Sequence, residues 1–171
     1  MPESGPSRQC RDLERPWRNH CVDRSLEDTW LEALNALGAF TLISICEGHT
    51  SERSNSPRSP HINLRLKAEL VPLAAEVWDS LSAAVADHLA RIFDAGSTSV
   101  TIELKLQVRL ERGRSATRQD FTARIDARRQ RVSSSMDPEI SDWFLGALKS
   151  IEELDRFILA DLCHGRGTAC P

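Results

Sequence analysis

One short segment gathers side chains with chemical potential: Ser44-Ile45-Cys46-Glu47-Gly48-His49, followed twelve residues later by His61. A thiol sits at the end of an apolar run, a glycine allows a sharp turn, and an imidazole follows three residues after the thiol. Thiolate and imidazole are the donors that zinc and related transition metals prefer. Cys46, His49 and His61 are therefore candidate metal ligands, with Glu47 as a further ligand or proton acceptor. Without a metal, Cys46 as nucleophile and His49 or His61 as base would suit covalent catalysis. A third reading needs no chemistry: a buried structural cysteine above a glycine turn, with two surface histidines. Arg53, Arg58 and Arg65 flank the segment and would orient an anionic group of a substrate. Cys46, Glu47 and His49 are thus the candidate catalytic residues, and the three arginines the candidate substrate-binding ones.

The elements that must position these groups follow from periodicity. Leu26, Trp30, Leu31, Leu34 and Leu37 recur at helical spacing after Ser25 and Asp28, which resemble a capping box, and Gly38 fits a helix stop. Residues 40–46 are short, β-rich and largely apolar, as a central strand should be. Residues 47–60 hold four serines, two prolines and a glycine, a long connection for a small domain. In residues 61–67, Ile62, Leu64 and Leu66 alternate with His61, Asn63, Arg65 and Lys67, a strand with one wet face. If the two strands pair antiparallel, His61 lies near Cys46. A helix follows from Pro72 towards Gly96, with Trp78 on its stripe and His88 as a hydrogen-bonded core histidine.

From Ser99 to Arg128 the period is two, which predicts a long hairpin with one apolar and one charged face. Asp137-Pro138 then opens a helix whose apolar stripe runs from Ile140 to Leu162, with Trp143 at its edge and Gly146 inside it. The order α-β-β-α-β-β-α implies an α+β fold: a mostly antiparallel sheet of about four strands with three helices packed on one face. Residues 1–23 read as a mobile N-terminal arm, 24–162 as a single domain and 163–171 as a tail.

This turn also carries a resemblance. A strand through Phe40 leading to Ser44, Cys46 and Gly48 resembles the F-T-T-S-S-C-S-G-R strand and turn of the wybutosine-synthesising tRNA methyltransferase family. Aligned on the cysteine, the match falls at Ser44, Cys46 and Gly48; the Phe40-Thr41 pair lies one residue early. His49 stands where that family has arginine, and Ile45 and Glu47 replace serines. The resemblance implies S-adenosylmethionine as cofactor and a tRNA purine as substrate.

Composition narrows the alternatives. The 171 residues suit one domain, and eight dispersed glycines exclude the glycine-rich phosphate loops of dinucleotide and P-loop proteins. The net charge of −3 conceals a basic segment, residues 97–132 at +5, between acidic ones. Together with the strand at 61–67, its alternation places Arg65, Lys105, Arg109, Arg124 and Arg128 on one sheet face, with Glu103 and Asp126 interspersed. Such a face would bind an anion, nucleic acid, or the acidic helices of a second copy in a homo-oligomer; the absence of exposed aromatics there favours the subunit or solvent over nucleic acid. Neither a signal peptide nor a membrane-length apolar run is present, so a cytoplasmic protein with reduced thiols is expected. Cys10, His20 and Cys21, with Cys163, His164 and Cys170, would supply a second zinc site if the termini meet.

Overall fold

A computed structural model describes residues 14–18, 20–48, 50–51, 54–57, 59–111, 114–128 and 138–164. In chain order the elements are β1 (Glu14–Trp17), β2 (His20–Asp23), α1 (Asp28–Asn35), β3 (Phe40–Cys46), β4 (Thr50–Ser51), β5 (Ser54–Pro57) and β6 (His61–Leu66), then α2 (Val71–Glu76), α3 (Trp78–Ile92), β7 (Thr98–Glu111), β8 (Arg114–Ala127) and α4 (Pro138–His164). Four strands form one antiparallel sheet in the order β3-β6-β8-β7. The α2–α3 connection carries the chain from β6 past the place of β8 to the edge strand β7. This is the α+β architecture that the alternation and helical stripes imply.

One sheet face is apolar. Phe40, Leu42, Ile45, Ile62, Leu64, Leu66, Phe121, Ala123 and Ile125 are all buried on it. The helices cover that face with their own stripes. Trp30 of α1 stacks on Phe144 of α4 at 5.3 Å between ring centres, and Trp78 of α3 meets Phe121 of β8 edge-on at 5.3 Å. His88 lies buried in α3, where Arg91 donates to its Nδ1 at 3.4 Å and Phe157 stacks on its ring. It is a core histidine, as its position on the helix stripe predicts.

Several elements differ from the sequence reading. Residues 14–23, expected in a loose arm, form the β1–β2 hairpin, and its Trp17 and Val22 are buried in the core. The helix expected as one piece after Pro72 is broken at Val77 into α2 and α3. Ser25 and Asp28 form no capping box: α1 begins at Asp28, behind Glu27, with no side-chain cap. Within 47–60, β4 and β5 pair as a small hairpin.

Asp155 of α4 ties the layers together. This buried carboxylate accepts the backbone N–H groups of Gly38 (2.9 Å), Ala39 (2.8 Å) and Phe40 (3.2 Å) at the entrance to β3. Space is short at that corner. A Cβ on Gly38 would fall 2.6 Å from Leu159 Cδ1, so glycine is required by close approach.

Candidate functional site

The site is set by a single irregularity in β3. Phe40 pairs with Leu66 and Leu42 with Leu64; then a bulge at Ile43 shifts the register, so that Ser44 pairs with Asn63, Ile45 with Ile62 and Cys46 with His61. Continued without the bulge, the register would set Cys46 opposite Pro60. The inserted residue also reverses the faces. Leu42 and Ile45 both reach the core, while Ser44 and Cys46 turn to the face that the helices leave uncovered.

His61 in turn pairs with Asp126 of β8, and Asp126 with Ser99 of β7. Cys46, His61, Asp126 and Ser99 thus form one row across the whole sheet. Residues directly opposite on neighbouring strands hold their Cβ atoms about 4.5–5.5 Å apart, within reach of side-chain contact. The adjoining row is Ser44, Asn63, Arg124 and Thr101, in which Asn63 Nδ2 donates to Ser44 Oγ at 2.7 Å.

Local bonds fix the members of the row. His61 Nδ1 lies 3.1 Å from the Ser59 carbonyl oxygen, so that nitrogen carries the proton and donates it. In the neutral ring Nε2 then bears the lone pair, the form suited to taking a proton or binding a metal. Cys46 is reduced and buried, and its Sγ accepts the Gly48 N–H at 3.4 Å. Gly48 has φ of 83°, in the left-handed region where glycine is unstrained, which closes the turn after β3. The next anchor is Asp23 of β2, buried, whose Oδ2 accepts the Glu47 N–H at 2.7 Å. Asp126 is held by its neighbour: the Arg124 guanidinium grips its carboxylate through Nε and NH2 at 2.7–3.0 Å.

The structure brings together Cys46 and His61, two of the three expected metal ligands, and sets half-buried Glu47 immediately after them. His49, Arg53 and Arg58 lie outside the described residues. Among the described residues, no group of three His, Cys, Asp or Glu side chains converges as metal ligands would. Arg65 does not join the pair. It lies four residues along β6 from His61, about 13 Å at the rise of an extended strand, and its Nε pairs with Asp120 at 2.9 Å. The second zinc site fails at two of its donors, because Cys21 and Cys163 are disulfide-bonded. The expectation of reduced thiols fails with them; Cys46 alone among the described cysteines is reduced.

Asp126, Ser59 and Asp23 were not legible as site residues from their neighbours in sequence. Asp126 enters through the β6–β8 register, which joins positions 65 residues apart. Ser59 contributes only a carbonyl, and Asp23 belongs to a hairpin without a strong strand pattern.

The described part of the uncovered face pairs much of its positive charge, while the side chain of Arg109 lies outside the described residues. Among the described residues Arg65 pairs with Asp120, Lys105 with Glu103, and Arg124 with Asp126. Arg128 turns away to the Thr98 carbonyl at 3.3 Å. A small pocket of about 270 Å³ lies on this face over Asn63, Thr101 and Arg124. A larger cleft of about 1120 Å³ opens at the far end of β6, between Arg65, Lys67 and the start of α2. Among the described residues no helix is long and apolar enough to cross a membrane.

The residues behind the methyltransferase resemblance sit at the same corner: Ser44 beside the bulge, Cys46 in the row and Gly48 in the turn. No protein-family model, curated protein or solved structure matches the chain.

Proposed function

We propose that the protein is a small enzyme whose reaction centre is the Cys46–His61 pair, acting by hydrolysis or group transfer on a small or anionic substrate. The observation that carries this reading is the register that sets Cys46 opposite His61, with Asp126 opposite His61 on the next strand. A thiol nucleophile needs an adjacent base, and the base needs a group to orient it. Here Ser59 supplies the orienting carbonyl, which puts the ring proton on Nδ1.

In the step this implies, the Cys46 S–H proton passes to His61 Nε2 while sulfur attacks an acyl carbon. The leaving group departs with the proton returned from the imidazolium, and the S-acyl enzyme remains. Water, deprotonated by the same nitrogen, then attacks the thioester and restores the thiol. No oxidant is required. Gly48 N–H would steady the developing sulfur charge, and Asp126 the imidazolium, an effect moderated by its pairing with Arg124.

Incubation with p-nitrophenyl acetate and intact-protein mass spectrometry tests this. The expected result is a burst of nitrophenol and one acetyl adduct on Cys46, absent from Cys46→Ser and slowed about a hundredfold in His61→Ala. Equal acylation of other nucleophiles, or none, would remove the reading.

A second reading is favoured by the bond from His61 Nδ1 to a backbone carbonyl, the arrangement that orients metal-bound imidazoles. Cys46 and His61 would then be two ligands of a zinc-like ion, with His49 the nearest further donor in sequence. Elemental analysis of protein purified without chelator separates the two readings: stoichiometric metal lost in Cys46→Ser supports the metal, its absence the nucleophile. Disulfides at Cys21 and Cys163 suit an oxidising compartment better than the cytoplasm.

A further inference from the structure

The uncovered sheet face extends beyond the Cys46–His61 row, and its far end has the makings of a binding site. The cleft of about 1120 Å³ there is lined by Arg65 and Lys67 together with Ala68 and Pro72. It is somewhat roomier than the usual pocket of about 300–1,000 Å³ for a small organic molecule, which would fill part of it. Arg65 meets Asp120 at its Nε, 2.9 Å from the carboxylate but without hydrogen-bond geometry, and no hydrogen bond ties its NH1 or NH2 to another described residue. That leaves the NH1 and NH2 edge, the part of arginine that grips a phosphate or carboxylate with two parallel bonds. Lys67 follows directly after β6 and lines the same cleft as Arg65, and no carboxylate pairs with it among the described residues. Glu69 is the other acid on the cleft, and it is exposed at the rim.

We propose that this cleft anchors an organic anion, an apolar body carrying a phosphate or carboxylate group, through Arg65 and Lys67. The apolar body would lie against Ala68 and Pro72, which are exposed on the cleft wall. Resting on the reading of Cys46 and His61 as the reaction centre, the site also defines the substrate. Its anionic end sits about 13 Å from the reacting atoms, the span of four residues of strand. The pocket over Asn63, Thr101 and Arg124 lies between the two ends on the same face. The substrate is therefore elongated, with a charged end and a distant reactive carbonyl.

Titration of ¹⁵N-labelled protein with phenyl phosphate, and separately with benzoate, tests the anchor. The expected result is saturable amide shifts around residues 65–72, with phenyl phosphate and benzoate competing for the same site. Arg65→Gln and Lys67→Gln should each weaken binding about tenfold, and Cys46→Ser should leave it unchanged. Shifts that do not saturate, that ignore both substitutions, or that vanish in Cys46→Ser would overturn the site. This arm decides the anchor even if Cys46 proves unreactive. With Cys46 active, hydrolysis of a carboxylate-terminated thioester long enough to span the face supplies the second arm. Arg65→Gln should raise its KM about tenfold with kcat unchanged, whereas an unchanged KM would show that the anion does not anchor the substrate.

Discussion

The carboxylate of Asp155 accepts the backbone N–H of Ala39 at 2.8 Å, joining α4 to the entrance of β3 across 116 residues of chain. Two further N–H groups, of Gly38 and Phe40, bind the same carboxylate. Replacing Asp155 with alanine strands three donors beside a buried void. Unsatisfied buried donors and lost charge-assisted bonds each cost about 1–3 kcal/mol, so Asp155→Ala should destabilise by about 3–5 kcal/mol. Asp155→Asn keeps an acceptor oxygen and should lose less. Urea unfolding of both variants checks the order, and an Asp155→Ala loss below that of Asp155→Asn would refute it.

Gly146 sits exposed in the middle of α4, and a Cβ placed on it meets nothing within 4 Å. Alanine there removes the entropy that glycine surrenders on folding and creates no clash. Gly146→Ala should stabilise by about 0.5–1 kcal/mol. A thermal melt suffices, and any loss of stability would mean that this face of the helix packs against something.

His88 receives its hydrogen bond at Nδ1, so its N–H is at Nε2, which is buried without a partner among the described residues. Stacking on Phe157 at 4.2 Å needs only the flat ring. Phenylalanine keeps the stacking surface and removes the unpaired donor, which costs about 1–3 kcal/mol where it is buried. His88→Phe should therefore raise the melting temperature. A marked drop would indicate that the Arg91 bond outweighs the stranded N–H.

Cys21 and Cys163 are disulfide-bonded, and Cys46 is reduced. In native protein, maleimide should therefore spare Cys21 and Cys163 until a reductant is added. Loss of a native disulfide in a small protein costs about 2–5 kcal/mol, so Cys21→Ser should lower stability by that order. Peptide mapping that finds Cys21 alkylated without reductant would contradict the pairing.

Much of the fold is legible in the sequence. The alternation from Val100 to Ala127 gives the hairpin its period and the Ile140–Leu162 stripe gives α4 its buried face, because each is a long repeat that one local rule can read. Other features are set by contacts distant in sequence. The β1–β2 hairpin has four-residue strands containing proline and arginine, and only the burial of Trp17 and Val22 marks it as structure. The bulge at Ile43 leaves no compositional trace, yet it decides whether Cys46 faces Pro60 or His61. The nearness of His61 to Cys46 was legible as a consequence of strand pairing. Asp126 was not, since its place beside His61 depends on the pairing of β6 with β8. Arg65 shows the opposite error: near in sequence, it is carried about 13 Å away by the strand it belongs to.

The central claim is that Cys46 and His61 act as one unit, and the alkylation rate of Cys46 tests it most directly. Native protein is treated with iodoacetamide at neutral pH, and modification of Cys46 is followed by mass spectrometry beside His61→Ala and His61→Gln, with folding of each variant confirmed by circular dichroism. If His61 draws the proton from the thiol, Cys46 reacts in the folded protein, and both substitutions slow it by about tenfold or more. Equal rates in all three proteins, or modification of Cys46 only as fast as the protein unfolds, would contradict the account.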